Sequence, residues 1–407
     1  MRILVVGSGA REHAICLSLA ADPLVTALVC APGNAGTAAI AEQRTVNPLD
    51  PAAVAQLAAD VRADLVVIGP EAPLVAGVAD GVRAAGFACF GPSQAAAQLE
   101  GSKAFAKDVM QAANVPTAKA YLCTTPAEAE QALDEFGAPY VVKDDGLAAG
   151  KGVLVTADRE AALAHAAACG RVVIEEYLDG PEVSLFCVTD GSAVVPLLPA
   201  QDFKRLSDGD GGPNTGGMGA YTPLNWLPEG TVAEVVDTVA RPTIEEMARR
   251  GTPFAGLLYV GLAMTSKGPR VIEFNARFGD PETQVVLALL ESSLAQLLQA
   301  AATGQLAGLA PLQWRDEAAV TVVIASANYP GTPRVDDPIE GADRAGVIHA
   351  GTRRDESGVL RSAGGRVLSV TATGNSVADA RAAAYRLVDE IQLDGSQHRR
   401  DIALNID

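Results

Sequence analysis

The sequence has few aromatic residues, which make up 4% of its 407 residues, and it is short of positive charge. Its 31 lysines and arginines are outnumbered by 49 aspartates and glutamates, which gives a formal net charge of −18. Non-specific binding to nucleic acid or to a membrane surface requires clustered basic side chains. We therefore expect neither partner, and any anionic ligand must be held by local donors.

Several other signals are also missing. The six cysteines show no C-x-x-C spacing, the four histidines show no metal-ligand spacing, and no run of 18 apolar residues occurs. The first residues pass straight into a short apolar strand without a signal-peptide core. We therefore expect reduced thiols in the core, no catalytic histidine and a cytoplasmic location.

The residues that are abundant indicate a layered α/β protein. Hydrophobic residues make up 49% of the chain, and 40 glycines allow many tight turns. At about 150 residues per domain, the length predicts two to four domains. Within the first hundred residues, short apolar strands alternate with helical segments, as in an open parallel sheet; the predicted strands are 3–6, 27–30, 65–69 and 87–90. Ligands of such sheets bind outside the carboxyl ends of the strands.

A second unit follows a helix that begins near Ser102. Its predicted elements are strands 140–143 and 153–156, an alanine-rich helix over 158–169 and strand 171–176. Residues 207–221 contain too much glycine and proline for regular structure, so we interpret them as a functional loop.

A connector at 304–311 separates a third, small α+β unit. This unit has predicted strands at 319–326, 346–350 and 366–373, and a helix that starts at Val377 and is capped by Ser376.

The segment VIEFNARFGDPET at 271–283 is the most informative part of the sequence. Side chains alternate along a strand, so Glu273, Asn275 and, if extension persists, Arg277 share one face. A carboxylate and an amide oxygen suit Mg²⁺, which usually also binds substrate phosphates. The arrangement indicates an ATP site, although a polar strand edge explains this segment equally well when it is taken alone.

Two helix starts are predicted near charged residues. Asp280 is expected to be an N-cap, with Pro281 as the first residue of an apolar helix that runs towards Ala300. Lys103 opens another helix, where a positive charge is unfavourable unless an anion compensates for it. Phosphate contact is therefore favoured over a solvated lysine.

The segment GSGARE follows the first strand but is not a dinucleotide fingerprint. Glu12 occupies the position where the third glycine of that fingerprint would allow close helix packing. Arg11 and the backbone at the helix start can still bind a single phosphate. The alternative is that the glycines only form the turn.

The segment KDDGLAAGKG at 143–152 resembles a phosphate-binding Walker loop without being one. Only three residues separate Gly146 from Gly150, and a glycine follows Lys151. We predict a glycine-rich flap between two strands, in which Lys143 and Lys151 neutralise a triphosphate; the alternative is a solvated hairpin.

Two adjacent glutamates end the apolar strand that follows this flap. Glu175 and Glu176 point to opposite faces, so they cannot act as an acid/base pair across one substrate. One of them can face the sugar or base of a ligand, or both can belong to an exposed strand end.

Eight ordered motifs together resemble one enzyme family. They are 7–14 (GSGAREHA), 31–37 (APGNAGT), 69–74 (GPEAPL), 99–105 (LEGSKAF), 143–153, 174–180, 213–221 (PNTGGMGAY) and 271–284 (VIEFNARFGDPETQ). In this order, and across nearly the whole chain, they resemble the phosphoribosylamine–glycine ligases of the ATP-grasp superfamily.

The resemblance implies an α/β and α+β multidomain fold. An open parallel sheet domain is expected at 1–101, a two-lobed ATP-grasp domain at 102–310 with its small lobe at about 117–178, and a small α+β domain at 311–407.

The resemblance also implies a reaction in purine synthesis. ATP, glycine and 5-phosphoribosylamine would give ADP, phosphate and glycinamide ribonucleotide through a glycyl phosphate, without a protein nucleophile. These small molecules are the expected partners, and the expected assembly is a monomer or a weak homodimer. The alternatives are another ATP-grasp carboxylate–amine ligase or a silent nucleotide sensor. A sensor would be expected to lose Glu273, Asn275 or Arg277, and all three are present.

Individual roles follow from the same resemblance. ATP would be bound by Lys103, Lys143, Lys151, Gly152, Glu175, Glu176, Leu178 and Glu182. Candidate residues of the phosphoribosylamine pocket are Gly9, Arg11, Asn34, Glu71, Asn214, Gly217 and Met218. Glu273 and Asn275 would hold Mg²⁺ or Mn²⁺, and Arg277 would be the catalytic residue that stabilises charge on the transferring phosphoryl group.

Three departures from the family pattern are expected to change affinity without abolishing activity. Asp144 adds a negative charge beside Lys143, Phe203 replaces a position that is commonly histidine, and the segment 157–170 is shorter than in most relatives.

Overall fold

The computed structural model describes residues 1–146, 152–404 and 406. Within these residues, no helix is both long enough and apolar enough to cross a membrane. All six cysteines are free thiols; five are buried and Cys169 is half-buried.

The N-terminal region is an open parallel sheet, as predicted. Its strands, in the spatial order β3-β2-β1-β4-β5, are β1 (Arg2–Gly7), β2 (Ala27–Pro32), β3 (Glu42–Gln43), β4 (Leu65–Ile68) and β5 (Ala88–Phe90). The helices are α1 (Ala10–Ala20), α2 (Pro51–Asp60), α3 (Glu71–Val75) and α4 (Val78–Ala84).

Strand β1 shows why this sheet forms. Leu4 and Val6 point into one hydrophobic cluster, whereas Ile3 and Val5 point into another on the opposite face. A parallel sheet covered on both faces needs such continuous apolar strands. The turns after β1 and β4 lie side by side at the carboxyl edge, and they lead directly into α1 and α3.

Two short helices, α5 (Gln98–Gly101) and α6 (Lys103–Ala112), lead to a small lobe. Helix α6 begins at Lys103, as the sequence predicted, and Ser102 caps it by accepting a hydrogen bond from Phe105 N. The small lobe comprises β6 (Ala120–Cys123), α7 (Pro126–Phe136), β7 (Tyr140–Asp144), β8 (Val153–Thr156), α8 (Arg159–Ala168) and β9 (Val172–Glu175). Its antiparallel sheet has the order β6-β9-β7-β8, so the predicted flap connects two paired strands.

The large lobe is built on a second antiparallel sheet, with the order β11-β10-β16-β17. Its elements are β10 (Glu182–Asp190), β11 (Val194–Pro196), α9 (Thr231–Val235), α10 (Arg241–Arg249), β16 (Ala255–Thr265), β17 (Gly268–Asn275), α11 (Glu282–Leu289) and α12 (Leu294–Thr303). A π-helical segment, Val236–Ala240, joins α9 to α10.

The interpretation of 207–221 as an irregular loop is wrong. This part of the chain contains two strands, β14 (Gly211–Asn214) and β15 (Gly219–Thr222), and it follows β12 (Gln201–Asp202) and β13 (Arg205–Ser207). Strands β13 and β14 pair with each other, whereas β15 pairs with β18 (Ala318–Ala325), about a hundred residues along the chain. Local glycine and proline content could not reveal this distant backbone partner.

The C-terminal region completes the sheet that β15 enters. The sheet order is β12-β15-β18-β22-β19, so the last region and the ATP-grasp region share one sheet. The remaining elements are β19 (Val347–His349), β20 (Thr352–Arg354), β21 (Leu360–Ser362), β22 (Arg366–Gly374) and α13 (Val377–Val388). Ser376 caps α13, as predicted.

The predicted helix from Pro281 to Ala300 is wrong in two respects. Asp280 is not its N-cap, because the helix begins at Glu282 and the Asp280 side chain instead accepts a hydrogen bond from Gln284 Nε2 at 2.8 Å. The chain also leaves the helix at Leu290, where a bridge to Trp314 competes for the backbone. It starts again as α12 at Leu294.

Candidate functional site

A cavity of about 270 Å³ lies where the N-terminal sheet, the two lobes and the C-terminal region meet. Its lining includes residues from the turns after β1 and β4, from α6, from the small-lobe sheet and from β17. The sequence analysis proposed eighteen site residues. Half of them line this cavity, namely Arg11, Glu71, Lys103, Lys143, Gly152, Glu175, Glu273, Asn275 and Arg277.

The end of β17 presents oxygen donors to the cavity. Glu273 and Asn275 belong to the last residues of the strand and lie two apart, so alternation places them on one face. Arg277 was expected on the same face only if the strand extended that far. The strand ends at Asn275, so this condition is not met. The Arg277 guanidinium nevertheless lies 3.3 Å from Asn275 Oδ1.

This donor set fits a hard divalent cation that is bound mainly through substrate phosphates. Glu273 and Asn275 supply one carboxylate and one amide oxygen, which is the kind of partial set that Mg²⁺ uses beside a nucleotide. Within the described residues, no group of three or more histidine, cysteine, aspartate or glutamate side chains could hold a metal by itself. A metal here would therefore depend on the nucleotide.

Arg277 is the centre of a buried charge network. Its guanidinium lies 2.9 Å from Glu100 Oε1 and 3.2 Å from Glu71 Oε2, and Arg11 lies 4.0 Å from the same Glu71 oxygen. Burial by itself raises the pKa of Glu71, but Arg277 and Arg11 together lower it to about 2. For Glu100, the effect of burial is larger than the opposing effect of Arg277, so the pKa of this carboxyl group is raised. The two carboxylates hold the guanidinium in one orientation, next to the oxygen donors of β17.

A second charged group connects the small lobe to the cavity. The Glu175 carboxylate is buried between two lysines, with Lys143 Nζ at 2.8 Å and Lys107 Nζ at 3.1 Å. Lys143 also donates to Ile272 O at 2.9 Å, which ties β7 to β17. Glu176 faces elsewhere and pairs with Arg270 at 3.0 Å, so the expectation of opposite faces is confirmed.

Lys107 provides a prediction about pH and stability. Burial lowers the pKa of Lys107 to about 8, although Glu175 opposes this effect. Between pH 8 and the ordinary lysine pKa of about 10.5, the unfolded chain holds a proton that the folded chain has released, so this group makes stability rise with pH. We expect Lys107→Met to remove a slope of at most about 1.4 kcal/mol per pH unit in this window.

The measurement is the free energy of unfolding in urea at pH 7.5 and pH 9.5, for the unsubstituted protein and for Lys107→Met. Lys119→Met is the matched control, because Lys119 is an exposed lysine of the neighbouring small lobe that pairs with Glu135. Identical pH dependence in the unsubstituted protein and in Lys107→Met would contradict the assignment.

The root of the flap contacts the start of α6. Lys103 Nζ donates to Gly146 O at 2.9 Å, and Asp145 Oδ1 accepts from Ala104 N at 3.0 Å and from Ser102 Oγ at 3.1 Å. Asp145 thus places a negative charge at a helix N-terminus, where the helix dipole is favourable. Lys103 thus contacts a backbone carbonyl at the base of the flap. Lys151, the second flap lysine proposed from the sequence, lies outside the described residues.

The opposite wall of the cavity carries polar residues that sequence reasoning missed. Glu282 accepts hydrogen bonds from Tyr259 OH at 2.5 Å and from Ser184 Oγ at 3.1 Å. Asp202 lies 3.4 Å from Lys204, and burial raises the pKa of Asp202 to about 7. All but Ser184 line the cavity. The charged motif QDFKR at 201–205 and the glutamate after Asp280-Pro281 were the available signals, but neither shows a spacing typical of a site.

Several residues proposed for the phosphoribosylamine pocket do not line the cavity and instead contact other parts of the protein. Asn34 is buried and donates to Ser8 O and His349 O, which ties the N-terminal region to the C-terminal region. Met218 is fully buried in a cluster with Val323 and Ala325. Gly9, Asn214 and Gly217, which were proposed for the same pocket, are also absent from the residues that line the cavity.

Three residues proposed for ATP also lie outside the lining of the cavity, namely Glu176, Leu178 and Glu182. Glu182 pairs with Lys204, which does line it. These positions follow β9 or begin β10, so they belong to the segment that connects the two lobes.

Two of the departures from the family pattern are single residues, Phe203 and Asp144, and the structure shows what surrounds each of them. Phe203 packs against Tyr221 at 6.2 Å between ring centroids, and the Arg399 guanidinium lies over its ring at 4.9 Å. Phe203 thus acts as a packing residue. Asp144 ends β7, and its backbone N–H donates to Gly152 O at 2.7 Å across the base of the flap.

Comparison with known proteins shows to which family this chain belongs. Three models of phosphoribosylglycinamide synthetase domains match the chain in order: the N domain at residues 1–100, the ATP-grasp (A) domain at 101–283 and the C domain at 319–405. The chain belongs to the phosphoribosylglycinamide synthetase family. A phosphoribosylamine–glycine ligase of Streptomyces coelicolor is 68% identical over 99% of both chains. One from Caulobacter vibrioides is 47% identical over 99% of this chain and 97% of its own.

Solved structures agree with this membership. The phosphoribosylamine–glycine ligase of Thermotoga maritima has a TM-score of 0.88 at 32% identity, and the match covers 99% of this chain and 100% of that one. The biotin carboxylase domain of Hydrogenobacter thermophilus 2-oxoglutarate carboxylase has a TM-score of 0.76 at 18% identity, over 100% of this chain and 93% of that domain, which shows a shared fold alone. As a synthetase of this family, the chain is an ATP-dependent, ADP-forming ligase of purine biosynthesis.

Proposed function

We propose that the cavity joins glycine to 5-phosphoribosylamine, with conversion of ATP to ADP and phosphate, in the second step of de novo purine biosynthesis. The observation that carries this proposal is the convergence of three sets of groups on one cavity. These are the lysines of α6 and β7, the oxygen donors of β17 and the Arg11–Glu71 pair at the carboxyl edge of the N-terminal sheet. A ligase with three substrates needs such a meeting point.

The first chemical step needs charge and position and no protein nucleophile. A carboxylate oxygen of glycine attacks the γ-phosphorus of ATP, the bond to the β,γ-bridging oxygen breaks, and ADP leaves with that electron pair. Lys103 and Lys143 neutralise the phosphates, and Arg277 stabilises charge on the transferring phosphoryl group. The product is glycyl phosphate.

In the second step, the amine nitrogen of phosphoribosylamine attacks the carbonyl carbon of glycyl phosphate. The carbon–oxygen bond to phosphate breaks, phosphate leaves with the electron pair, and the nitrogen loses a proton. Acyl phosphates react with water, so the intermediate must form inside an enclosed site. The location of the cavity between the two lobes and the N-terminal region supports such enclosure.

Glu273 and Asn275 would hold Mg²⁺ or Mn²⁺ together with the ATP phosphates. When bound, the metal would supply positive charge that offsets the negative charge of the ATP phosphates. Arg277 is oriented beside these donors by Glu71 and Glu100.

Arg11 and Glu71 are the proposed contacts of phosphoribosylamine, because the phosphate would meet Arg11 at the start of α1. The proposal retains the rest of the phosphoribosylamine set, Gly9, Asn34, Asn214, Gly217 and Met218, as neighbours of the pocket that act through backbone or packing. It likewise retains Lys151, Gly152, Glu175, Glu176, Leu178 and Glu182 as nucleotide contacts.

The proposal also includes the molecular context of the reaction. We propose boundaries after residues 101 and 310, a monomer or weak homodimer, and a cytoplasmic location. The six unpaired cysteines support that location, because disulfides form in oxidising compartments.

The proposed function is tested by ADP release from the purified chain with ATP and Mg²⁺. Glycine and freshly generated phosphoribosylamine are each present or omitted. We expect turnover only with both substrates, and mass spectrometry should detect glycinamide ribonucleotide as the product. Turnover driven by another carboxylate or amine would assign the chain to a sister activity, and ATP binding without turnover in any mixture would refute the enzymatic proposal.

A further inference from the structure

The segment 215–217, which we call the glycine segment, lies between β14 and β15, and Thr215 and Gly216 line the cavity. Two side chains of the C-terminal region hold its central residue. The Gly216 N–H donates to Tyr329 OH at 2.9 Å, and Gly216 O accepts from Arg366 at 2.5 Å. Both backbone polar groups of this cavity residue are therefore bound by a distant part of the chain, and only Arg366 of the two side chains lines the cavity itself.

Arg366 connects the glycine segment to the turn that precedes α11. Besides Gly216 O, its guanidinium donates to Asp280 O at 2.8 Å and lies 3.3 Å from the Asp280 carboxylate. The guanidinium also packs closely on the segment, because a Cβ built on Gly216 would lie 3.1 Å from Arg366 Cζ. A planar group with N–H donors in fixed directions can hold both turns at once, which a single ammonium group does less well.

Tyr329 reaches the same segment from the turn after β18. Its ring packs directly on the backbone of Gly365, where a Cβ would lie 2.5 Å from Tyr329 Cδ2. Its backbone carbonyl accepts a hydrogen bond from Gln397 Nε2 at 3.1 Å. The C-terminal region thus holds the ring in place, and the hydroxyl extends to the glycine segment.

The glycine segment lies near the N-terminal region. Gly217 has a φ of +109° and packs on the turn before α11, since a Cβ at this position would collide with Pro281 Cδ. Asp280 in that turn lies beside the start of α1, because a Cβ built on Gly9 would lie 3.8 Å from Asp280 Oδ2. This is the part of the cavity that the proposed function assigns to phosphoribosylamine through Gly9 and Arg11.

We propose that Tyr329 and Arg366 are positioning residues through which the C-terminal region holds the glycine segment and sets the affinity of the cavity for phosphoribosylamine. This inference rests on the proposed function, which places that substrate between α1 and the glycine segment. Tyr329 acts without touching a substrate. A loosened segment binds phosphoribosylamine more weakly, whereas the phosphoryl-transfer step is kept, because Arg277 is oriented by separate contacts with carboxylates.

The first test is Tyr329→Phe, which keeps the ring on Gly365 and removes the hydroxyl that accepts from Gly216 N. We expect the KM for phosphoribosylamine to rise roughly 3- to 10-fold, as for the loss of one hydrogen bond. The KM for ATP and kcat should each stay within about twofold, because the lost contact serves binding alone. Steady-state kinetics with one substrate varied at a time, and with freshly generated phosphoribosylamine, measures these constants.

Tyr385→Phe is the matched control, because it removes another tyrosine hydroxyl of the C-terminal region. That hydroxyl donates to Arg399 O at 2.8 Å and accepts from Ile402 N at 3.2 Å, and neither partner lines the cavity. The control should leave the KM for phosphoribosylamine within about twofold. Equal effects of the two substitutions on this KM would overturn the proposal, as would an unchanged KM in Tyr329→Phe or a rise confined to ATP or glycine.

The second test asks whether Tyr329 and Arg366 act on the same segment. Arg366→Lys alone should raise the KM for phosphoribosylamine on the order of 10-fold, because the ammonium group cannot hold both turns. In the double variant with Tyr329→Phe, the rise should be smaller than the product of the two separate rises, because one change already releases the segment. A rise equal to that product would show that the two residues act independently and would overturn their shared role.

Amide hydrogen exchange of residues 213–218 gives a readout that does not depend on turnover. Exchange there should be faster in Tyr329→Phe and in Arg366→Lys than in the unsubstituted protein, and it should be unchanged in Tyr385→Phe. If one of the two variants does not fold, the other decides by kinetics and exchange, and unchanged exchange would overturn the proposal. Inactivity of the unsubstituted protein with every substrate would instead mark failure of the proposed function, and exchange would still decide whether the C-terminal region holds the segment.

Discussion

Replacing Arg277 by lysine is expected to lower kcat for ADP formation by roughly 10²- to 10³-fold. The variant keeps a positive charge but loses the planar guanidinium group, whose N–H donors point in several fixed directions. The guanidinium contacts Glu100 at 2.9 Å, Glu71 at 3.2 Å and Asn275 Oδ1 at 3.3 Å. A lysine ammonium cannot satisfy three such directions from one position. The charge would no longer be held at the proposed position of the transferring phosphoryl group.

The pattern of kinetic constants separates this role from simple binding. A group that acts mainly in the transition state lowers kcat and kcat/KM by similar factors, so the KM for ATP should change little. Steady-state kinetics with saturating glycine and phosphoribosylamine measures both. Equilibrium ATP binding by the variant shows that the nucleotide site has survived.

Arg334→Lys is the matched control for this substitution. Arg334 pairs with Asp337 and Asp394 in the C-terminal region, at the surface. It should leave turnover unchanged. If Arg277→Lys retained more than about a third of kcat, Arg277 would be a structural partner of Glu71 and Glu100 and not a catalytic residue.

Replacing Lys143 by methionine is expected to reduce kcat/KM for ATP on the order of 100-fold, since the proposed charge-assisted contact to phosphate would be lost. Lys143 is buried, pairs with Glu175 at 2.8 Å and donates to Ile272 O at 2.9 Å. Methionine has a similar length, so the packing between β7 and β17 is largely kept while the charge is removed. Glu175 retains Lys107 as a partner.

The measurement is the KM for ATP together with thermal unfolding, so that weaker nucleotide binding is distinguished from loss of fold. Lys119→Met serves as the control, because it removes an exposed lysine of the same small lobe. Equal kinetic effects in the two variants would indicate a general effect of lobe charge. An unchanged KM for ATP in Lys143→Met would contradict a phosphate contact.

Local patterns predicted the elements whose backbone partners are close in sequence. Strands β7 and β8 were predicted from apolar runs separated by glycines, and the pairing of Lys143 with Val153 confirms the two strands. The predicted flap between them includes residues 147–151, which lie outside the described residues. The N-cap Ser376 was also predicted, because a cap is decided within four residues. The same logic placed Glu175 and Glu176 on opposite faces.

Local patterns were wrong where a distant segment competes for the backbone. Strand β15 forms because β18, about a hundred residues later, offers it backbone partners, although its own sequence is rich in glycine. Leu290 leaves the helix because Trp314 bridges to it. Composition within a window of ten residues contains no information about either partner.

The sequence by itself determined the parallel N-terminal sheet, the strands β7 and β8 and the oxygen donors of β17, because each depends on alternation or spacing within a short segment. The tertiary structure decided which charges meet. Glu100, Lys107, Asp202 and Glu282 carry no distinctive spacing, and they became candidates only when folding brought them to one cavity. The physical reason is that the role of a charged side chain depends on its burial and on the charges around it, and both are set by segments far apart in the chain.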